Sequence, residues 1–193
     1  MPIDRSSLLS LEAYAKARPA IRAQVIPHRR LRTVHLGEHV TLQFEDELTI
    51  RYHVQEMLRV EKIFEEEGIR QEIEVYAPLI PDGSNWKATM LLEYEDESER
   101  KRELGRLVGI EHRVWVRIAG FAKNFAIADE DLERATAEKT SAVHFLRFEL
   151  RTGQIEALRS GAALDMGVDH ENYEARSEVA AATREALIKD LMD

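Results

Sequence analysis

Short segments in which apolar and polar residues alternate recur along this chain, and they restrict its possible folds more than any other feature. We identify seven of them: residues 32–36, 39–45 and 87–95, the two halves of HRVWVRIAGFAKNFAIA, and the segments SAVHFLRFEL and ALDMGVDH. Most are joined by hairpins or by single helices, and no Gly-rich phosphate-binding turn follows a strand. The sequence therefore predicts an α+β fold with a largely antiparallel seven-stranded sheet, as a sandwich or an open barrel.

Two helices are predicted before the first strand. Ser6 and Ser7 can cap the first helix, Pro19 opens the second, and Pro27 ends it. The hairpin that follows is predicted to turn at residues 37–38, which pairs His35 with Val40.

Further helices follow from caps and from the 3.6-residue period. Asp46 caps one long helix that extends to about Glu67 and that Gly68 ends with a left-handed residue. A charged helix is predicted at 96–108 and a short one in TGQIEALRSGA, whereas ADEDLERATAEKT is a loop or a short helix. We predict a single domain at 1–173, with a helical N-terminal arm, and an appended helical tail at 174–193.

Composition excludes several kinds of chemistry. The chain has no cysteine, which removes disulfides, thiolate nucleophiles and iron–sulfur ligation by its own residues. It also lacks an apolar run of about 18 residues and a basic-apolar leader, so we expect a cytoplasmic protein without a membrane segment.

The formal net charge of −9 is unevenly distributed. Residues 1–32 carry seven Lys and Arg against two acidic residues, a balance of +5 that leaves −14 for the remainder. The acidic remainder repels phosphate, which argues against nucleic acid as a partner. The charges indicate a basic helical arm that docks on an acidic body, with an anion patch at residues 28–32 as the alternative.

The segment YAPLIPDGSNWKATM holds the first candidate site. Long loops in small domains often carry function, and this one offers side chains for a ligand or a partner protein: Asp82, Ser84, Asn85, Trp86 and Lys87. Trp86 is predicted to act as an aromatic anchor for a partner.

A second candidate site is the strand face formed by Arg113, Trp115 and Arg117. It is predicted to lie opposite the small residues of the next strand and to leave the indole uncovered. This face could bind an anion or an aromatic ligand by cation–π contacts, or it could pack against a helix. Lys123 falls on the apolar face of its strand, which indicates either a one-residue error in the register or a desolvated lysine with a lowered pKa.

Four of the seven histidines fall on the inward face of predicted strands. If they converge, His35, His112, His144 and His170 predict a metal site, with Glu111, Glu38 or Asp169 completing the shell. Imidazole with carboxylate suits iron, manganese or zinc, and we favour iron or manganese. The alternative is that these histidines are core residues bonded to backbone carbonyls, since no HxH or HExxH spacing is present.

Several particular segments resemble an uncharacterised bacterial family, a domain of unknown function of similar length: RTVHLGEHVTLQFED, QEMLR, PLIPDGSNWKATMLLEYED, EKTSAVHFLRFEL and GVDHENY. The resemblance extends over residues 3–173 and leaves the last helix outside. Genes of that family often lie beside those of rubrerythrin-like proteins and iron–sulfur oxidoreductases, which implies a role in a redox or peroxide-defence module.

Three hypotheses of function follow. The first is an accessory or adaptor protein that binds such a redox partner. The alternative is an enzyme or sensor with iron or manganese held by the inward histidines. The third is the binding of a small anion or nucleotide at Trp86, Lys87 and the arginine strand.

Overall fold

The computed structural model describes residues 3–130, 134–136 and 138–192. The α+β class and the antiparallel pairing are confirmed, but the strands form two open sheets rather than one of seven strands. The five-stranded sheet has the order β1-β2-β3-β7-β6, with β1 at Thr33–Leu36, β2 at Val40–Phe44, β3 at Asn85–Leu92, β6 at Ile127–Ala128 and β7 at Val143–Glu149. The four-stranded sheet has the order β5-β4-β8-β9, with β4 at Val114–Ile118, β5 at Asn124–Phe125, β8 at Leu164–His170 and β9 at Tyr173–Glu178.

The two sheets contribute to one core. Trp86, Met90 and Phe148 from the larger sheet belong to the same buried cluster as Val116 and Met166 from the smaller one. The alternation of the strands predicted the inward faces of Phe148, Val116 and Met166, because successive side chains of a strand point to opposite sides.

The first hairpin differs from the predicted register by one residue. Its loop spans residues 37–39, with Gly37 at φ 71°, and His35 pairs with Thr41 instead of Val40. Because a slip of one residue exchanges the two faces of a strand, His35 is exposed and not inward.

A single helix, α1 at Leu11–Arg30, replaces the two predicted at the N-terminus, and Ser10 caps it. Pro19 and Pro27 lie inside it and each removes one helical hydrogen bond. Contacts on both sides of Pro19 hold the helix together. The Arg18 guanidinium pairs with Glu56 at 2.6 Å, and Val25 is buried.

The predicted long helix is two helices. Asp46 caps α2 at Glu47–Glu61 as predicted, but the helix ends at Lys62, whose φ is 56°. Gly68 lies inside α3 at Glu66–Tyr76 and does not end a helix. The break lets Ile63 pack with the apolar cluster that these helices share.

The remaining helices are α4 at Glu97–Arg106, α5 at Thr152–Arg159 and α6 at Ala181–Ile188. The first two agree with the predicted segments. Of the stretch predicted as a loop or a short helix, residues 131–133 and 137 lie outside the described residues, and the rest contains no helix. No helix in the described ranges combines the length and the apolar character that crossing a membrane requires.

The C-terminal segment is packed into the core rather than appended to it. Residues 174–178, predicted as helix, form most of the edge strand β9, whose sequence YEARSE alternates the partly buried Tyr173, Ala175 and Ser177 with exposed charged residues. In α6, Leu187 is fully buried and its carbonyl accepts a hydrogen bond from the Trp86 indole at 2.9 Å. The tail therefore covers one wall of the core.

Candidate metal centre

Four side chains from three separate segments meet between the two sheets. Glu111 and His112 lie on a short 3-10 turn before β4, Asp129 directly follows β6, and His144 lies on β7. The pairing of β6 with β7 brings Asp129 to His144. His112, His144 and Glu111 were candidates from the sequence, whereas Asp129 was not.

The distances suit a shared cation. His112 Nε2 lies 3.4 Å from Asp129 Oδ2 and 3.8 Å from Glu111 Oε1. The Nδ1 atom of His144 lies 4.0 Å from Asp129 Oδ1, whereas its other nitrogen, Nε2, lies 3.8 Å from Glu111 Oε2. One ligand atom each from Glu111, His112 and Asp129 lie within 4.8 Å of one another. Ligands at about 2.0–2.2 Å from a common ion lie up to roughly 4.4 Å apart, so small side-chain rotations close the site.

Two buried polar atoms of this cluster lack a partner. Within the described ranges, neither Asp129 Oδ1 nor His144 Nδ1 has a hydrogen-bond partner. Buried polar groups are nearly always hydrogen-bonded, and exceptions often mark an absent water or ion.

The tautomer of His144 follows from the hydrogen-bond partners of Nε2. Nε2 lies 3.1 Å from the Ser141 carbonyl, which can only accept a hydrogen bond, and 2.8 Å from Thr140 Oγ1. Nε2 therefore carries the proton and Nδ1 carries a lone pair. That lone pair faces a carboxylate oxygen 4.0 Å away, which is also an acceptor. A cation between them satisfies both.

Burial lowers the pKa of His144, while the nearby Glu111 carboxylate opposes the shift. The net effect keeps the imidazole neutral, which is the form that binds metals. Thr140 Oγ1 also donates to Glu111 Oε2 at 3.1 Å and so orients this buried carboxylate. Such outer contacts typically hold metal ligands in position.

Asp129 adopts a left-handed backbone conformation with φ 59°. Residues other than glycine in this region are disfavoured and cluster at functional sites. Asp and Asn tolerate the conformation best. Asp129 was missed because it lies in a stretch whose sequence predicts only a loop or a short helix.

One side of the cluster reaches solvent. The side chain of His112 is 55% exposed, and it lines a cleft of about 1030 Å³ together with Arg113, Lys123 and His170. A bound metal would therefore be accessible to water or to a small molecule.

The other two candidate histidines do not join this cluster. His170 lines the same cleft, but its Nε2 lies 3.1 Å from the Val108 carbonyl and its Nδ1 accepts from the Asn172 amide. His35 is exposed and contacts Thr41. Of the four predicted histidines, only His112 and His144 lie together, and of the proposed carboxylates only Glu111 lies with them.

The candidate loop is a compact turn. The Asp82 carboxylate accepts hydrogen bonds from the Ser84 amide at 3.0 Å and from the Asn85 side chain at 2.8 Å. Trp86 is fully buried, so its predicted role as an exposed anchor is wrong. Lys87 donates to the Pro78 carbonyl. Binding of an iron–sulfur oxidoreductase or a rubrerythrin-like protein stays a prediction.

The indole of Trp115 is covered, contrary to the prediction. It is 2% exposed, donates to Asp169 at 2.7 Å, and lies under the Lys123 ammonium, 4.2 Å from the ring centre. Its partner across the strand is Phe125 and not a small residue. Arg117 pairs with Asp165 at 2.7 Å, while Arg113 lines the cleft. The predicted one-residue error in the register is confirmed, since Val116 pairs with Asn124 and Lys123 forms an ion pair with Asp169.

Trp115 also packs on Gly167 of β8. A Cβ atom at Gly167 would lie 2.4 Å from the indole and 2.6 Å from the Ala175 carbonyl oxygen. We expect Gly167→Ala to lower the free energy of unfolding by about 1–3 kcal/mol, because the Ala175 carbonyl belongs to the backbone of the paired strand and cannot move away from the new methyl group. Chemical denaturation measures this, with Gly153→Ala as the control, since a Cβ there meets nothing closer than 4.0 Å. Equal losses of stability in Gly167→Ala and Gly153→Ala would contradict the close packing of Trp115 on Gly167.

Comparison with known proteins finds relatives of unknown function. A family model described as "Protein of unknown function (DUF3501)" matches residues 2–191. A crystal structure of a novel protein of unknown function from Burkholderia pseudomallei is 53% identical, with full coverage of both chains and a TM-score of 0.95. No curated protein matches the chain. Since the family match continues to residue 191, the prediction that the last helix lies outside the shared region is wrong.

Proposed function

Because this chain belongs to the DUF3501 family of proteins of unknown function, we propose a function from its own geometry: it binds one divalent iron or manganese ion. The proposed ligands are Glu111, His112, Asp129 and His144. The supporting observation is that His144 Nδ1 and Asp129 Oδ1 face each other in a buried space, where neither has a hydrogen-bond partner among the described residues.

The donor set supports the choice of metal. Two imidazoles and two carboxylates are borderline to hard ligands, and thiolates are impossible in a chain without cysteine. Such sets suit Fe(II) and Mn(II) better than the softer metals. Zn(II) is the natural competitor in the test, since it also takes imidazole and carboxylate.

The accessible side of the site supports an enzyme or a sensor over a purely structural ion. Structural sites are closed by protein ligands, whereas reactive metals keep a position open. Here the half-exposed His112 borders the large cleft. Iron or manganese in such a position would supply Lewis-acid or redox chemistry to a small oxidant or an organic substrate.

The test is the metal content of protein purified without chelators and reconstituted with Fe(II) or Mn(II). We expect about one ion per chain, and an increase in melting temperature that a chelator reverses. Content below about 0.1 per chain after reconstitution, without a thermal shift, would disprove the proposal.

Asp129→Asn is the sharpest variant. Asparagine keeps the left-handed backbone, and its amide can donate to His144 Nδ1, which satisfies the unpartnered nitrogen. We expect loss of the metal with no loss of stability in the metal-free protein. His35→Asn is the matched control, since it removes an exposed imidazole that is remote from the site. Wild-type metal content in Asp129→Asn would exclude this ligand set.

A further inference from the structure

The outer side of α1 carries a basic stripe, which consists of Arg22, Ile26, Arg29 and Arg30. The last three lie four, seven and eight positions after Arg22, so all four share one side of the helix. Arg22, Ile26 and Arg30 are exposed, and Arg29 is half-buried. The helix packs on α2 through another side, where Val25 is buried. The basic stripe is therefore open to a partner.

No acidic residue of α1 lies beside this stripe. The only one in the helix is Glu12, in the first turn, and it pairs with Lys16 at 2.8 Å. Within residues 3–130, 134–136 and 138–192, Arg22, Arg29 and Arg30 form no ion pair. The stripe thus offers three positive charges that lack a counter-ion in this part of the chain.

Arg29 gives a separate sign of an absent acceptor. Its guanidinium lies over the Tyr52 ring, 5.6 Å from the ring centre. Its Nε atom is buried and has no hydrogen-bond partner among the described residues. Buried polar atoms are nearly always hydrogen-bonded, and each exception calls for an explanation. A carboxylate that approached from the exposed side would give this guanidinium an acceptor.

The anion patch expected from the sequence is only partly available. His28 and Arg32 lie against carboxylates of the protein itself, and Arg32 is buried. Arg29 and Arg30 remain, and the helical period brings Arg22 to the same side.

The apolar residues at the stripe indicate which kind of anion fits. Ile26 is 45% exposed between the arginines, and Leu31, next to Arg30, is 47% exposed. Duplex nucleic acid and charged membranes extend beyond the stripe, where the acidic remainder of the chain repels them. Charges are screened beyond about 8 Å at physiological ionic strength, so a short acidic segment would interact mainly with the three arginines.

We propose that the basic stripe is a docking site for an acidic, amphipathic helical segment of a partner protein. Carboxylates of that segment pair with Arg22, Arg29 and Arg30, and its aliphatic side chains pack on Ile26 and Leu31. Arginine clusters recognise acidic motifs in this way in many complexes. The proposal does not depend on the metal, because no residue of the stripe belongs to the proposed metal centre.

Fluorescence anisotropy with a labelled helical peptide of about 20 residues tests the proposal. The peptide carries glutamates on both sides of a leucine stripe, and the control peptide has glutamine in place of every glutamate. We expect saturable binding of the glutamate peptide to the full chain, weakened about tenfold between about 50 and 300 mM salt. The glutamine peptide should bind at least about tenfold more weakly.

The double variant Arg22→Glu with Arg30→Glu should weaken binding of the glutamate peptide by about tenfold or more, because repulsion replaces attraction. The matched control is Lys101→Glu with Arg102→Glu on α4, which makes the same change in net charge at two exposed residues outside the stripe. It should keep the wild-type affinity. Ile26→Ser should weaken binding about fivefold through the lost apolar contact.

Several results would each overturn the proposal. They are the absence of saturable binding of the glutamate peptide, equal affinity for the two peptides, and wild-type affinity in Arg22→Glu with Arg30→Glu. Tighter binding of phosphatidylserine vesicles or of duplex DNA than of the glutamate peptide would also overturn it, since either would identify a partner of another class.

Discussion

Replacing Arg32 with methionine is expected to lower the free energy of unfolding by about 3–5 kcal/mol, because it leaves a buried carboxylate without its cation. Arg32 is 2% exposed and pairs with Asp190, near the C-terminal end of the chain. Its guanidinium also donates to the carbonyls of Phe44 at 3.1 Å, Glu45 at 3.0 Å and Ala186 at 3.2 Å. One side chain therefore joins α1, β2 and α6.

The burial of Asp190, the partner of Arg32, is the reason that the expected loss of stability is large. Burial raises the pKa of Asp190, and the Arg32 guanidinium opposes that shift. Without Arg32 this carboxylate must be protonated or drawn into water, and three carbonyls lose their donor. Methionine fills similar space but satisfies none of these groups.

Urea denaturation followed by circular dichroism measures the effect. Arg30→Met, at the last residue of α1 and two positions before Arg32, is the matched control, since Arg30 is exposed, and it should change stability by less than about 0.5 kcal/mol. The double variant Arg32→Met with Asp190→Asn should lose less free energy of unfolding than the two single variants lose in total. A loss in Arg32→Met no larger than in the control would show that this network does not stabilise the fold.

Trp86→Ala is expected to lower stability by about 3–5 kcal/mol. The side chain is fully buried, its ring meets that of Phe44 edge-on at 6.1 Å, and its indole donates to the Leu187 carbonyl. Truncation creates a cavity between β3 and α6 and leaves that carbonyl without a donor.

The same denaturation experiment separates a core residue from a surface anchor. Phe64→Ala is the control, because Phe64 is 71% exposed and its loss should cost less than about 0.5 kcal/mol. The loss of stability in Trp86→Phe should lie between those of Trp86→Ala and Phe64→Ala, since phenylalanine keeps a ring but loses the hydrogen bond. Wild-type stability in Trp86→Ala would mean that the indole is not part of the core.

Most strand positions and the starts of α2 and α4 could be predicted well from the sequence. The alternation in SAVHFLRFEL places His144 inward correctly, and Asp46 and Asp96 cap their helices. Prediction failed where a non-local contact decided the outcome. The strand β9 was predicted as helix although Tyr173 and Ala175 alternate with charged residues, and its pairing with β8 defines it as a strand.

In the candidate site too, local patterns predicted some residues and non-local contacts decided the others. Strand alternation selected His144, but it misplaced His35, because a hairpin loop of three residues instead of two reverses the faces. Asp129 carries no periodic signal at all. Only the pairing of β6 with β7 places it beside His144.

The sequence by itself determined the antiparallel α+β class, the faces of the central strands and the absence of thiolate chemistry, since these depend on side-chain periodicity and on residue types. The tertiary structure alone decided that Glu111, Asp129 and His144 meet and that the C-terminal helix covers Trp86. The reason is physical: local patterns constrain the backbone within a few residues, whereas contacts between distant segments depend on loop lengths and on burial across the whole chain.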